Sequence, residues 1–183
     1  MAESESVTPD ATRRFGDGDA THQALGGVDA IRRLVEVFYR EMDTLPEAAR
    51  IRALHPSDLT VSIDKLALFL SGWTGGPKLY SEKYGPIKIP IFHQHLPVDE
   101  PERDAWLLCM ERALDELGYA EDIKSYLLKE LFVPAERIRV VSARRRAERR
   151  GESTESVGPL KGLSIQGAGS ADSLDASDEG DPS

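Results

Sequence analysis

The sequence predicts an all-α fold in one domain, with polar extensions at both ends. Apolar residues recur at helical spacing in four stretches, and no stretch sustains the period-two alternation of a strand. The 183 residues amount to about one domain. Residues 1–20 hold Ser, Thr, Asp, Glu and Gly with almost no aliphatics, and residues 151–183 are richer still in Ser, Gly and Asp. In the latter, Glu152, Glu155, Asp172, Asp175, Asp178, Glu179 and Asp181 face a single base, Lys161. Neither end can bury enough apolar surface to offset its ordering entropy, so both are expected to be disordered. The expected organisation is an extension at 1–20, a folded domain at 21–143, and a basic cluster followed by an acidic tail at 144–183. Pro159–Ile165 (PLKGLSI) is a candidate partner-binding segment in that tail, set against the plainer reading of a solvated tail.

A short helix is expected around Thr21–Leu25, separated by Gly26-Gly27 from a longer one. Ile31, Leu34, Val35, Phe38 and Met42 then mark one face of that longer helix at the i, i+3, i+4, i+7 spacing. Ile63, Leu66, Ala67, Leu70 and Trp73 form a second stripe, stopped by Gly75-Gly76-Pro77. Trp106, Cys109, Met110, Ala113 and Leu117 form a third, ending at Gly118. Ile123, Tyr126, Leu127 and Leu131 form a fourth, and Pro134 should kink or restart that helix because it removes one backbone donor. Between the second and third stripes about twenty-four residues, Lys78 to Pro101, carry four prolines that forbid a long helix. Ile87–Phe92 alternates, but prolines interrupt it. A loop of that length inside a compact domain is often functional, and this one contains His93 and His95.

Charge and composition exclude several classes. A net charge of −9 argues against non-specific binding to nucleic acid or an anionic membrane. Five arginines in seven residues (Arg144, Arg145, Arg146, Arg149, Arg150) keep a local nucleic-acid reading open beside that of a solvated helix end. No apolar run approaches eighteen residues, and the opening MAESES resembles no signal or transit peptide. A single cysteine, Cys109, permits no internal disulfide and no all-cysteine metal site. A cytoplasmic location follows as the default.

His93 follows an apolar run and precedes the helix that carries Trp106, the layout of an axial haem ligand. A packed or exposed histidine is the alternative. His93 and His95 also form an H-x-H pair, and Asp99, Glu100 and Glu102 nearby leave a zinc site open. There is no H-E-x-x-H, G-x-G-x-x-G, Walker loop or G-x-S-x-G. Cys109 reads as a small core residue. Tyr39, Trp106 and His55 bring polar tips to apolar helix faces, where they line a small polar pocket or point to water.

Five segments carry a resemblance: Phe38-Tyr39; Leu54-His55-Pro56; Phe69 to Pro77 (FLSGWTGGP); Tyr80-Ser81-Glu82-Lys83; and His93 followed by Glu102 to Met110 (ERDAWLLCM). Over residues 21–140 the chain resembles the truncated haemoglobins, most of all group II, which carries a tryptophan on its G helix. The resemblance implies a two-over-two helical sandwich around haem b. It implies His93 as the iron ligand, Tyr39 and Trp106 as donors to bound ligand, and His55 as a third distal residue. Ser62 and Leu66 would face the distal pocket, with Leu66, Phe69 and Trp106 against the cofactor. Two departures accompany it. Phe92 stands where the family often has an Arg before the proximal His, so Lys78, Tyr80 or Lys88 is expected to serve the propionates. An insertion near Thr44–Ala48 should lengthen the loop at the pocket edge. The implied activity is binding of oxygen, nitric oxide or similar small ligands. A reductase partner and redox chemistry or sensing would go with it, and storage and turnover both stay open. The rival is a haem-free helical sensor or protein-interaction module.

Overall fold

The computed structural model describes residues 14–157, so the disorder expected of the outer ends, and the segment Pro159–Ile165, lie outside the described residues. Among those described there is no strand. The helices are α1 (Ala20–Ala24), α2 (Gly27–Thr44), α3 (Ala49–Arg52), α4 (Thr60–Trp73), α5 (Leu79–Tyr84), α6 (Ile89–His93), α7 (Glu100–Glu116) and α8 (Glu121–Arg150), with 3₁₀ turns at Pro46–Ala48 and Glu155–Val157. The α2 helix packs on α4 and on α7, α7 packs on α8, and α6 lies against α8. None of these helices is long and apolar enough to cross a membrane.

The three complete stripes fold as the spacing requires. Ile31, Leu34, Val35, Phe38 and Met42 of α2 are at most 1% exposed. Together with Ala67, Leu70 and Trp73 of α4 and Cys109, Met110 and Ala113 of α7 they make one core. The α7 helix opens on a reciprocal capping box between Asp99 and Glu102. Glycines 75 and 76 are demanded by close approach. A Cβ on Gly75 would lie 1.9 Å from the Gly18 carbonyl oxygen, and one on Gly76 would lie 2.3 Å from His22 Nδ1. The turn after α4 is thereby pressed against α1, whose His22 amide donates to the Thr74 carbonyl at 3.0 Å.

Four expectations are corrected. The stretch 78–101 is not an irregular loop, because it holds α5 and α6. Pro90 sits in the first turn of α6, where a missing N–H costs nothing. Pro134 does not restart α8, which runs through it as one helix of 30 residues. The buried proline forfeits one backbone bond, and packing on α7 and α6 holds the turns to either side. The boundary expected after residue 143 falls inside α8, whose Ala147 is buried and whose Arg146 pairs with Asp99. The residues at Thr44–Ala48, where a longer loop is expected, include a 3₁₀ turn at Pro46–Ala48 that buries Ala48 completely. At the N-terminal side, Phe15 stacks 5.4 Å from Tyr126, so packing begins before residue 21.

One polar knot fixes the short helices to the long ones. Asp64 of α4 accepts from Arg32 of α2 and from Lys83 and Tyr84 of α5, each at 2.7 Å. Those three donors hold its carboxyl well below the usual carboxylate range. The knot anchors α5 and with it Tyr80.

Candidate functional site

A cavity of about 360 Å³ opens between the helix pairs. From α2 and α4 its wall takes Tyr39, Ser62, Leu66 and Phe69; α7 supplies Trp106, α5 supplies Tyr80, and α6 supplies His93. His55, on the turn after α3, completes the set. The structure therefore brings together eight of the ten residues singled out in the sequence.

Tyr39 is 5% exposed. Burial pushes its phenol up to about 12, against the Ser62 hydroxyl with which it hydrogen-bonds, so it stays a neutral donor near neutral pH. Its neighbour Phe38 locks the arrangement. The Phe38 ring lies 5.0 Å from that of Tyr39, edge-on, and 5.1 Å from that of Trp106. His55 stands edge-on to Tyr39 at 5.6 Å. Its Nδ1 lies 2.9 Å from the Ile51 carbonyl, so Nδ1 carries the proton and Nε2 keeps a lone pair. Burial, the Ile51 contact notwithstanding, keeps the imidazole below its ordinary value. Neutral His55 is thus an acceptor on the cavity side.

His93 repeats that geometry on α6. Its Nδ1 donates to the Ile89 carbonyl at 2.6 Å, one helical turn back, which leaves Nε2 as the free ring nitrogen. Burial lowers its basicity, so the neutral form is the one present. A neutral imidazole oriented through its other nitrogen by a carbonyl is what axial ligation requires. The Ser142 hydroxyl of α8 donates to the Leu96 carbonyl and, at 3.5 Å, to that of His93, which ties the segment down. His95 is exposed and outside the cavity wall. Among the described residues no three His, Cys, Asp or Glu side chains stand close enough to hold a metal ion, so the H-x-H pair has no third ligand.

Lys78 and Lys88 are exposed and do not line the cavity. Lys65 and Arg103 do, and sequence reasoning missed both. Spacing could have found them: Lys65 lies three residues after Ser62 on the Ser62, Leu66, Phe69 face, and Arg103 lies three before Trp106. Lys65 sits over the Tyr84 ring at 5.2 Å. Arg103 pairs with Glu136 at 2.6 Å and with Asp104 at 2.9 Å. Also missed as cavity residues were Leu131, Pro134, Ala135 and Ile138, a stripe of α8 that floors the cavity; the buried Glu102, expected only beside a zinc site, borders it too. Glu102 Oε2 accepts from the Asp99 amide at 2.9 Å. Its Oε1 meets Arg50 Nε at 2.9 Å in an ion pair outside hydrogen-bond alignment. Cys109 is fully buried and its thiol is pushed up to about 12 by that burial, which leaves it inert. Three of the five clustered arginines form ion pairs: Arg145 with Glu148, Arg146 with Asp99 and Arg150 with Glu152.

A mostly apolar cavity with an oriented imidazole nitrogen on α6, a second beside Tyr39, and two cationic side chains suits a flat, apolar cofactor with acidic edges. Known proteins point the same way. The family model of the bacterial-like globins matches residues 20–137. The group 2 truncated haemoglobin YjbI of Bacillus subtilis is 32% identical over 117 residues, covering 64% of this chain and 86% of the relative. Among solved structures, a group II 2-on-2 haemoglobin of Agrobacterium tumefaciens superposes with a TM-score of 0.61 at 40% identity, over 64% of this chain and 92% of that one. The truncated oxygen-avid haemoglobin of Bacillus subtilis gives 0.59 at 32% identity, over 65% and 98%. With a family model spanning more than half its length and relatives of this likeness, the chain belongs to the bacterial-like globins, as a haem-binding truncated haemoglobin of group II.

Proposed function

We propose that the protein binds haem b through Nε2 of His93 and holds oxygen, nitric oxide or a similar diatomic ligand beneath Tyr39 and Trp106. The observation that carries this reading is the tautomer of His93. Its Nδ1–H is spent on the Ile89 carbonyl at 2.6 Å, so the remaining lone pair is the cavity's one oriented nitrogen donor on α6. Haem supplies, when bound, a coordination position for small ligands. Leu66, Phe69 and the α8 stripe give it an apolar seat. Lys65 would take the place of the arginine that Phe92 displaces, facing a propionate carboxylate, with Tyr80 beside it and Arg103 as a second cation.

The rest belongs to the chain's own donors. The Tyr39 hydroxyl stays protonated across the neutral range. The Trp106 ring packs against the Phe38 ring at 5.1 Å. Fixed donors in a mostly apolar cavity stabilise negative charge on a ligand without reorganisation. Such a cage slows release, which favours redox chemistry or sensing, fed by a reductase, over carriage. The test is the absorption spectrum of the purified full chain. A Soret band with one haem per chain is expected. Its absence after reconstitution would overturn the reading in favour of a haem-free helical module.

A further inference from the structure

Four large apolar side chains are exposed among the described residues: Val61, Ile91, Phe92 and Phe132. Val61 stands alone at the start of α4. Phe132 is covered on one face by the Arg103 guanidinium at 5.0 Å. Ile91 and Phe92 differ, because they are neighbours on the five-residue helix α6 and are 56% and 59% exposed. Phe92 also borders the cavity, so a bound cofactor would cover its inner edge. Ile91 is not part of the cavity wall and stays in water whether the cavity is filled or not. Isolated exposed apolar residues are ordinary, but an adjacent pair at a cavity mouth marks a contact surface.

The end of α8 runs alongside this pair. Arg145 Nε donates to Gln94 Oε1 at 2.9 Å, three residues after Ile91, and Arg146 pairs with Asp99. The helix stops one and a half turns later. Gly151 takes the left-handed conformation, φ 70°, and the Glu152 amide closes back on the Ala147 carbonyl at 3.0 Å. The chain is turned there rather than carried on along the helix axis. Eight residues beyond Gly151 begins Pro159–Ile165 (PLKGLSI), whose Leu160, Leu163 and Ile165 stand out from the Ser, Gly and acidic residues that follow. Nine residues of chain, Gly151 to Leu160, reach up to about 30 Å when extended. The way back along α8 from Gly151 to Arg145 is about 9 Å at the helical rise.

We propose that Pro159–Ile165 docks on the Ile91–Phe92 face of α6. The composition of the tail as a whole argues for solvation, but this one segment carries the apolar side chains that the exposed pair lacks. A short tether puts the segment at a local concentration of order millimolar. A second copy enjoys no such advantage, and two chains of net charge −9 repel each other. The docked segment adds packing to a helix too short to be stable alone.

The experiment is hydrogen–deuterium exchange on the purified full chain, with and without haem, so that its outcome is independent of the His93 assignment. The wild type is compared with the full-length variant Leu160→Asp, Leu163→Asp, Ile165→Asp, whose changes lie outside the globin helices. Peptides covering 89–96 should exchange about tenfold more slowly in the wild type, with α2 unchanged in both as the control for folding. Equal exchange at 89–96 overturns the proposal. Protection that fades on dilution, together with a dimer by size exclusion, overturns it in favour of a second copy as the occupant.

Discussion

Tyr39 and His93 border one cavity but hang on very different helices. Tyr39 belongs to α2, 18 residues long, with Ile31, Leu34, Val35, Val37, Phe38, Tyr39 and Met42 all buried. His93 ends α6, five residues long, with Ile91 and Phe92 in water. The candidate distal donor is placed by a helix that packs on both α4 and α7. The candidate iron ligand is placed by what neighbours lend it: the Ile89 carbonyl, the Ser142 hydroxyl of α8 and the Arg145–Gln94 contact. Substitution on α2 should therefore register as lost stability or altered kinetics in a protein that still holds its cofactor. Substitution on α6 should register as cofactor loss in a protein that is still folded.

The sharpest way to break that contrast is at His93. His93→Gly should abolish stable haem binding, read as loss of the Soret band, while helicity by circular dichroism stays near wild type. His95→Ala should keep the band, because His95 is exposed and outside the cavity wall. The opposite pair of outcomes would move the ligand to His95. On the other wall, Phe38→Ala removes a fully buried ring that touches those of Tyr39 and Trp106. A cost of about 3–5 kcal/mol is expected in chemical denaturation, with haem still bound under native conditions. A cost below about 1 kcal/mol would show that the distal wall is far less rigid than its packing implies.

The same contrast explains what could be read in advance. The 3.6-residue period needs three or four turns to declare itself, and α2, α4 and α7 have them. Helices of five or six residues, as in α5 and α6, carry no period, and the four prolines around them read as loop. The second half of α8 was obscured by Pro134, whose lost hydrogen bond weighs less than the packing of a 30-residue helix on its neighbours. Eight site residues were legible because their types and spacings resemble a family pattern. Lys65 and Arg103 were not: Lys78 and Lys88 were expected to replace the arginine missing before His93, whereas helical spacing from Ser62 and Trp106 decides which charges border the cavity. Which of His93 and His95 meets the cavity was open in residue types alone. The helix that places the Ile89 carbonyl against Nδ1 separates them.

Smaller effects are expected from the donors themselves. Tyr39→Phe and Trp106→Phe each delete one N–H or O–H while keeping most of the ring packing. Removing one hydrogen bond costs about 1–3 kcal/mol, so oxygen dissociation by stopped flow should quicken about 5- to 150-fold. Two donors that share one acceptor do not act independently, so the double variant should depart from the product of the single effects. Strict additivity would mean that the two residues face different partners, and unchanged rates in both single variants would leave no donor cage to argue from.

The smallest effect should come from His55, and its sign is the informative part. Above its ordinary value of about 6.5 the ring is neutral, with Nδ1–H on the Ile51 carbonyl and a bare Nε2 that cannot donate. Burial holds its basicity down, so protonation occurs only as the pH falls below that range. The stability contributed by the neutral ring is fully present above about pH 6.5 and is lost as the pH falls through the lowered value. Protonation also turns Nε2 into a donor beside Tyr39, which adds a third hydrogen bond for a ligand with negative charge. Wild-type oxygen dissociation should therefore slow about two- to fivefold on acidification, less than for a full hydrogen bond because the charged ring resists burial. His55→Phe should be flat over the same range. His55 also lines an outer cleft with Asp43 and Ser57, which offers the imidazolium a second place to go. If acid speeds dissociation in the wild type and not in His55→Phe, the charged ring leaves the cavity for that cleft, and the distal wall then has a moving part that its packing on α2 and α4 does not reach.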